Sequence, residues 1–453
     1  MGSEGARDFG RRICLMLLLL LVGMARGLWA AEPRTIDEYV AAALKNNPEI
    51  AQAEADWHAA EARVSPAKTL PDPMIGLDYM NMGSAPSLGS DMNTLFGVSY
   101  SQMVPGRGKL PLEGQVMQAE ADRLRTAVDV KRWDLHARVE KTYYGLYHTD
   151  RMLGILGEIR TLLESMEKNM EAMYGVGMAP QQDVLKAQVA LSKLSADELD
   201  LKLQRSQLEI EMNTLLAHPA STPIHDLQVM EEMHWKYTLD DLDEMALATS
   251  PELRMEQQMI GVEGLRIERA KAEYHPDTTW TYSLYTRGHF GPAWQVMAER
   301  TLPIYRKKKQ DFGVIEAERS NDAAQKSYEV KRNDVFQGLD SSLATLHTSL
   351  DQYTLLNDNL VPQAELTFLA SLSAYQVGKA DFLTALDALM NLYDFKMRVH
   401  TSLEMFHREA ADIETMVGAP LHIHEPASGE SMENMPGMGT GSKDSGGGSH
   451  ESK

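Results

Sequence analysis

The sequence predicts a mainly α-helical chain, built twice over, in which each half inserts a pair of β-strands that form a barrel segment. Three observations predict it. Long stretches carry apolar residues at helical spacing, and two pairs of short runs alternate with period two. The third is an internal repeat: Ala67-Lys68, Pro73 and Tyr79 recur as Ala270-Lys271, Pro276 and Tyr282 at an offset of 203. Asn47-Pro48-Glu49-Ile50 recurs as Ser250-Pro251-Glu252-Leu253 at that offset, and Tyr174-Gly175-Val176-Gly177 recurs as Tyr375-Gln376-Val377-Gly378 at 201. A unit this long is a duplicated domain rather than a solenoid repeat.

Residues 1–31 read as a secretory signal: Arg7, Arg11 and Arg12, an apolar run from Ile13 to Val22, and small residues at Gly27, Ala30 and Ala31. The run is too short to span a bilayer as a helix. Cys14 is the lone cysteine and lies inside that run, so the exported chain is expected to have no disulfide and no thiolate metal site. Without residues 1–31 the chain keeps 40 basic and 63 acidic residues, a net charge of −23. Such a balance argues against nucleic acid as a partner and suits a water-filled interior that favours cations.

The first repeat is expected over 32–218. Thr35 to about Arg63 is helical and is closed by Pro66, Pro71 and Pro73. A strand hairpin follows at about 74–104, with Ile75, Leu77, Tyr79 and then Phe96, Val98, Tyr100 in alternation. A very long helix runs from near Leu110 to Met173, turns at Tyr174 to Pro180, and returns to Leu216 with Leu191, Leu194, Leu201, Leu208 and Leu215 on one stripe. Residues 219–240 read as a connection. The second repeat, 241–418, gives a helix to Glu273, a hairpin at about 278–302, a long helix through Leu343, Leu350 and Leu360, a turn at Tyr375 to Ala380, and a last helix to about Met416. Residues 419–453 form a Met-, His-, Gly- and Ser-rich tail, expected to be disordered.

Geometry narrows the architecture. A helix of about 60 residues reaches roughly 90 Å and must lie in a bundle or a wall. Strands of about ten residues match the length that crosses a membrane as a barrel. Four strands cannot close a barrel, and open sheet edges are not tolerated in lipid, so other copies must complete it. Two copies would give a barrel plugged by its own side chains. Three copies would give 12 strands and leave a passage. Tyr79, Tyr100, Trp280, Tyr282 and Trp294 would supply its rim and lipid-facing aromatics.

Taken in order, the duplication, the two hairpins, the two Tyr-x-x-Gly turns and Pro105-Gly106-Arg107-Gly108-Lys109 resemble the TolC family of outer-membrane efflux proteins over about Thr35 to Gly418. The resemblance implies a homotrimer in the outer membrane of a Gram-negative bacterium. A 12-stranded barrel would stand in lipid above a long periplasmic α-barrel tunnel. It implies service as the exit duct of a tripartite pump or type I secretion system, with a periplasmic adaptor and an inner-membrane transporter of RND or ABC type. The protein itself would be no enzyme and need no cofactor. Carried to matching positions, Tyr174, Gly177, Tyr375, Gly378 and Lys379 would lie at the tips that meet the adaptor. Asp183 would bond to a neighbouring helix, with Tyr375 as a partner. Asp387 would belong to an acidic aperture ring in which Thr384 replaces a second acid, and Ala380 stands where some members have a basic latch residue.

Cargo is weighed on composition. The chain has 28 methionines, including Met74, Met80, Met82, Met92 and Met103 around the first hairpin and Met432, Met435 and Met438 near His422 and His424 in the tail. Thioether and imidazole donors suit soft ions such as copper(I) or silver. Methionine also fills helix cores. Soft-metal export is favoured, ahead of drug or organic-solute efflux and of protein secretion. A soluble periplasmic coiled-coil scaffold is the rival of another class; it accounts for the heptads but not for two symmetric hairpins. Catalytic readings fail: Gly106-Arg107-Gly108-Lys109 lacks the spacing of a phosphate loop, no Gly-x-Ser-x-Gly occurs, and His400 and His407 lie seven apart.

Overall fold

The computed structural model describes residues 35–81, 93–225, 227–228 and 235–421. Each half has the same order of elements. The first contains α1 (Ile36–Asn46), α2 (Pro48–Lys68), β1 (Met74–Met80), β2 (Leu95–Val104), α3 (Lys109–Gly175) and α4 (Gln181–Leu215). The second contains α5 (Leu239–Thr249), α6 (Pro251–Ala272), β3 (Thr278–Thr286), β4 (Ala293–Arg300), α7 (Gln310–Leu355), α8 (Val361–Gln376) and α9 (Phe382–Val417).

The opening helix of each half is two helices, where the sequence pattern predicts one. Thr35 caps α1 in a reciprocal box with Glu38, and Thr238 does the same for α5 with Asp241. Asn47-Pro48 and Ser250-Pro251 then restart the chain. A residue before proline is pushed out of the helical region, and proline suits the first helical position. Asn47 caps Glu49 and its amide donates to the Leu215 carbonyl at 2.9 Å, which ties the break to the end of α4. The helix also continues past Pro66 to Lys68, because Thr69 closes the last turn through Pro66 and Ser65 carbonyls.

The long helix after β4 departs from regularity at Leu356–Leu360, a single wide π-turn before Val361-Pro362. Pro362 brings no N–H and would crowd the carbonyl four residues back, and widening the turn removes the clash.

Helix α3 has 67 residues, about 100 Å of helix. It packs on α2 and α6 near the sheet, and on α4 and α9 further away; α7 packs on α6 and α9. Apolar clusters run along this wall. One, near the two turns, joins Leu156, Leu163, Leu194, Phe382 and Leu389 with Met152, Met166 and Met170. These helix methionines fill core.

The four strands make one antiparallel sheet in the order β1-β2-β3-β4. The central pair, β2 with β3, joins the two halves through register pairs from Phe96↔Thr286 to Val104↔Thr278. Both β1 and β4 are sheet edges. Among the described residues no helix is long and apolar enough to cross a membrane.

Candidate functional site

Strand register sorts the sheet into two chemically distinct faces. Row by row, Leu77, Val98, Leu284 and Trp294 lie abreast, as do Ile75, Tyr100, Tyr282 and Val296. Trp280 and Tyr79 share this face, and all are exposed, Trp294 to 78%. The opposite face has rows Gly76, Ser99, Ser283, Gln295 and Met74, Ser101, Thr281, Met297. Asp78 also lies there. Among the described residues every strand methionine, Met74, Met80, Met103 and Met297, falls on this polar face. The sequence-predicted aromatics Tyr79, Tyr100, Trp280, Tyr282 and Trp294 all fall on the other. Met82, His422, His424, Met432, Met435 and Met438 lie outside the described residues.

The segment Pro105 to Lys109 is a structural junction. Gly106 donates its N–H to Asp277 at 2.7 Å. A side chain there would meet the His275 carbonyl oxygen at 2.4 Å. Gly108 has φ +87°, a conformation glycine adopts without strain. The Lys109 ammonium, buried, lies 2.8 Å from Glu273 and 2.9 Å from Asp277. Burial of this lysine opposes its charge, but the two carboxylates outweigh it and hold its pKa above the ordinary value. Both carboxyls are held below theirs: burial pushes them up, and Lys109 with its neighbours more than offsets that. Arg269 extends the network to Glu273 and to Glu113. The junction of β2 with α3 is thereby stapled to the junction of α6 with β3.

At the far end, the turns α3–α4 and α8–α9 have one geometry. Gly177 (φ +75°) donates to the Tyr174 carbonyl and Met178 to Met173; Gly378 (φ +70°) donates to Tyr375 and Lys379 to Ala374. This is the glycine-terminated helix end that leaves few carbonyls unsatisfied. The equivalent tyrosines differ. Tyr174 is exposed, whereas Tyr375 packs edge-on against Phe382 and its hydroxyl donates to the sulfurs of Met170 at 2.9 Å and Met173 at 3.2 Å. The Asp183–Tyr375 bond expected from the resemblance is therefore not made within the chain, because two methionine sulfurs occupy that hydroxyl. Asp183 is buried, and its carboxyl is raised above the ordinary value by burial and then by the nearby Asp381. Lys379, Val176, Met178 and Val377 are exposed around the turns.

Thr384 and Asp387 are exposed on one face of α9, and Asn391 and Asp394 continue the stripe at heptad spacing. Asp394 follows Asp387 at a seven-residue step, which is its signal in the sequence. Helix α4 likewise has a second heptad seam, unread in the sequence: Leu185, Val189, Ser192, Ala196, Leu199, Leu203, Ser206 and Ile210 are all exposed. The stripe read from sequence, through Leu194 and Leu201, is the one buried within the chain.

Buried ionisable groups line the α3–α9 contact. His148 and His400 meet at 3.3 Å between their Nδ1 atoms. Burial, then mutual repulsion, drives His148 down to about 3, and burial drives His400 down to about 4. Nearer the ends of α1 and α9, His136, Glu140 and Glu414 converge. The local signal for this cluster in the sequence is the four-residue step from His136 to Glu140.

Comparisons with known proteins agree with this geometry. Residues 40–218 match the family model described as outer membrane efflux protein. No curated protein sequence matches the chain. Among solved structures, the outer-membrane channel OprN is 16% identical with a TM-score of 0.73, covering 85% of this chain and 90% of its own. CusC, described in terms of folding and transmembrane channel formation, is 16% identical with a TM-score of 0.71, covering 85% and 92%. The outer membrane protein VceC from Vibrio cholerae is 12% identical with a TM-score of 0.72, covering 85% and 96%. Residues 40–218 thus carry the sequence pattern of the outer membrane efflux protein family, and most of the chain has the fold of these outer-membrane channels.

Proposed function

We propose that this protein is the outer-membrane exit duct of a tripartite efflux system, working as a homotrimer, with soft metal ions as its cargo. The observation that carries the reading is the partition of the sheet. Apart from Leu95 and Tyr285, the aromatic and branched aliphatic side chains of the strands take one face, and the serines, Thr279, Thr281, Asp78 and all four described strand methionines take the other. A lipid-facing band over a polar lumen demands that alternation. The unpaired edges β1 and β4 are antiparallel to one another, so β4 of one copy can accept β1 of the next. Three copies close the ring at 12 strands. The open heptad seam of α4 is the surface a neighbouring copy would cover.

In that assembly Thr384, Asp387, Asn391 and Asp394 face the tunnel, and the repeated carboxylates favour cations. The turns around Tyr174, Gly177, Tyr375, Gly378 and Lys379, with exposed Val176, Met178 and Val377, offer an apolar docking end for a periplasmic adaptor, which couples the duct to an inner-membrane transporter. The lumen-facing methionines supply weak, exchangeable thioether contacts for soft ions. Nothing in the strand faces favours an organic solute or a protein over such ions.

The test uses cells that depend on this duct and hold its adaptor and transporter. Replacing Met74, Met80, Met103 and Met297 together by Leu should lower silver tolerance severalfold and leave dye or antibiotic tolerance unchanged. Unchanged silver tolerance in a variant that assembles normally would sink the cargo assignment while leaving the duct intact. Absence of discrete conductance from the assembled protein in a planar bilayer would count against the duct.

A further inference from the structure

A second metal chemistry sits in the helical wall, away from the lumen methionines. His136 and Glu140 are one turn apart on α3, and Glu414 comes from α9 across the contact. One donor atom from each lies within 4.8 Å of the others. The three are unlike in residue type, and their environment is short of positive charge. Among the described residues neither Glu140 nor Glu414 is paired with a lysine or arginine, and Asp37 adds a further negative charge nearby. Glu414 is 4% exposed. The two carboxyls hydrogen-bond each other, which requires one proton between them, and a bound cation would take that proton's place.

The donor set itself points to a ligand. The Nδ1 atom of His136 is buried with no hydrogen-bond partner and stands 3.6 Å from Glu140 Oε2, too far for a hydrogen bond and near the spacing of two ligands on one ion. One oxygen of Glu414 is oriented from behind by the Leu421 N–H at 2.7 Å, the outer support typical of metal-bound carboxylates. The ring of Trp133 lies 5.2 Å from that of His136. The His136 side chain keeps 22% exposure, which leaves an entry path.

We propose that His136, Glu140 and Glu414 bind a divalent cation of the zinc class, which clamps the end of α9 onto α3. One imidazole and two carboxylates suit zinc, with the fourth position left to water. Soft monovalent copper or silver is disfavoured by the two oxygen donors, so this resident ion differs in kind from the cargo proposed above, and the inference does not depend on that cargo.

The experiment is titration of the full-length chain in detergent, stripped with chelator, using zinc(II) and cobalt(II). Expected for the unaltered protein are one tight equivalent, a change in the Trp133 fluorescence, and a higher Tm. His136→Asn and Glu414→Gln should each weaken that equivalent at least tenfold and abolish the Tm response. Glu414→Gln keeps an oxygen for the Leu421 N–H, and His136→Asn tests the partly exposed ligand should the first variant fold poorly. Any binding by the tail histidines persists in both variants and so is subtracted. Identical stoichiometry and identical Tm response in the unaltered protein and both variants would overturn the proposal.

Discussion

The Lys109 staple yields the most direct test of how the sheet is held to the helices. Lys109→Met keeps the aliphatic volume of the stem and removes the ammonium. Two charge-assisted contacts, 2.8 and 2.9 Å long, are lost. Such bonds contribute about 1.5–3 kcal/mol each. The carboxylate side chains of Glu273 and Asp277 retain 41% and 28% exposure, so they recover part of their hydration and the lower end applies. Arg269 also stays on Glu273. The expected net loss is about 2–3 kcal/mol. Urea unfolding of the detergent-solubilised protein, followed by helical circular dichroism, reads it as a lower midpoint at unchanged slope. Because Glu273 and Asp277 have depressed folded pKa values, their contribution is full above roughly pH 4.5 and is lost as pH falls through the folded values. The gap between the unaltered protein and Lys109→Met should therefore close in acid. A double-mutant cycle with Asp277→Asn should show coupling of about 1 kcal/mol. An unchanged midpoint, or strict additivity in the cycle, would refute the staple.

Other expectations follow from the same geometry. His148 and His400 have folded pKa values of about 3 and about 4, so the stability they confer as neutral rings is present above roughly pH 6.5 and lost as pH falls toward those values. Tyr147 and His407 lie against the His148 ring and Arg151 adds positive charge to both rings, and a Tm-versus-pH series should flatten in His148→Phe if the histidines set the slope. Gly97→Val should cost about 1–3 kcal/mol, read as a lower urea midpoint, because a side chain there meets the Leu284 carbonyl oxygen at 2.3 Å in the pair that joins the two halves. Asp387→Asn should reduce the cation selectivity of single channels in a planar bilayer and weaken block by trivalent cations; unaltered selectivity would remove Asp387 from the aperture. Gly378→Ala should cost about 1–2 kcal/mol locally, seen as faster hydrogen exchange confined to the α8–α9 turn.

Much of this protein was legible in its sequence, for reasons that can be named. Period-two alternation marked Ile75, Leu77 and Tyr79, and the repeat offset paired them with the second hairpin. Glycine in Tyr174-x-x-Gly177 marked a turn because a left-handed residue must end each helix there. Heptad leucines on α4 marked the buried stripe. These are local signals: each depends on residues close in the chain, so composition and period suffice.

What the sequence could not decide depends on which distant residues meet. The Asn47-Pro48 break is visible locally, but its tie to the Leu215 carbonyl required the fold. Lys109 read as the end of a failed phosphate loop until α6 brought Glu273 and Asp277 to it. Tyr375 was expected on Asp183, and packing gave its hydroxyl to Met170 and Met173 instead. Parity along a strand says which residues share a face. Only the pairing of β1 through β4 shows that Met74, Met80, Met103 and Met297, contributed by three different strands, share the face opposite the aromatics. The convergence of His136, Glu140 and Glu414 is of the same kind. Helical periodicity places two of them one turn apart, and only the docking of α9 on α3 brings the third, because contacts across more than 270 residues of chain are set by packing and not by local preference.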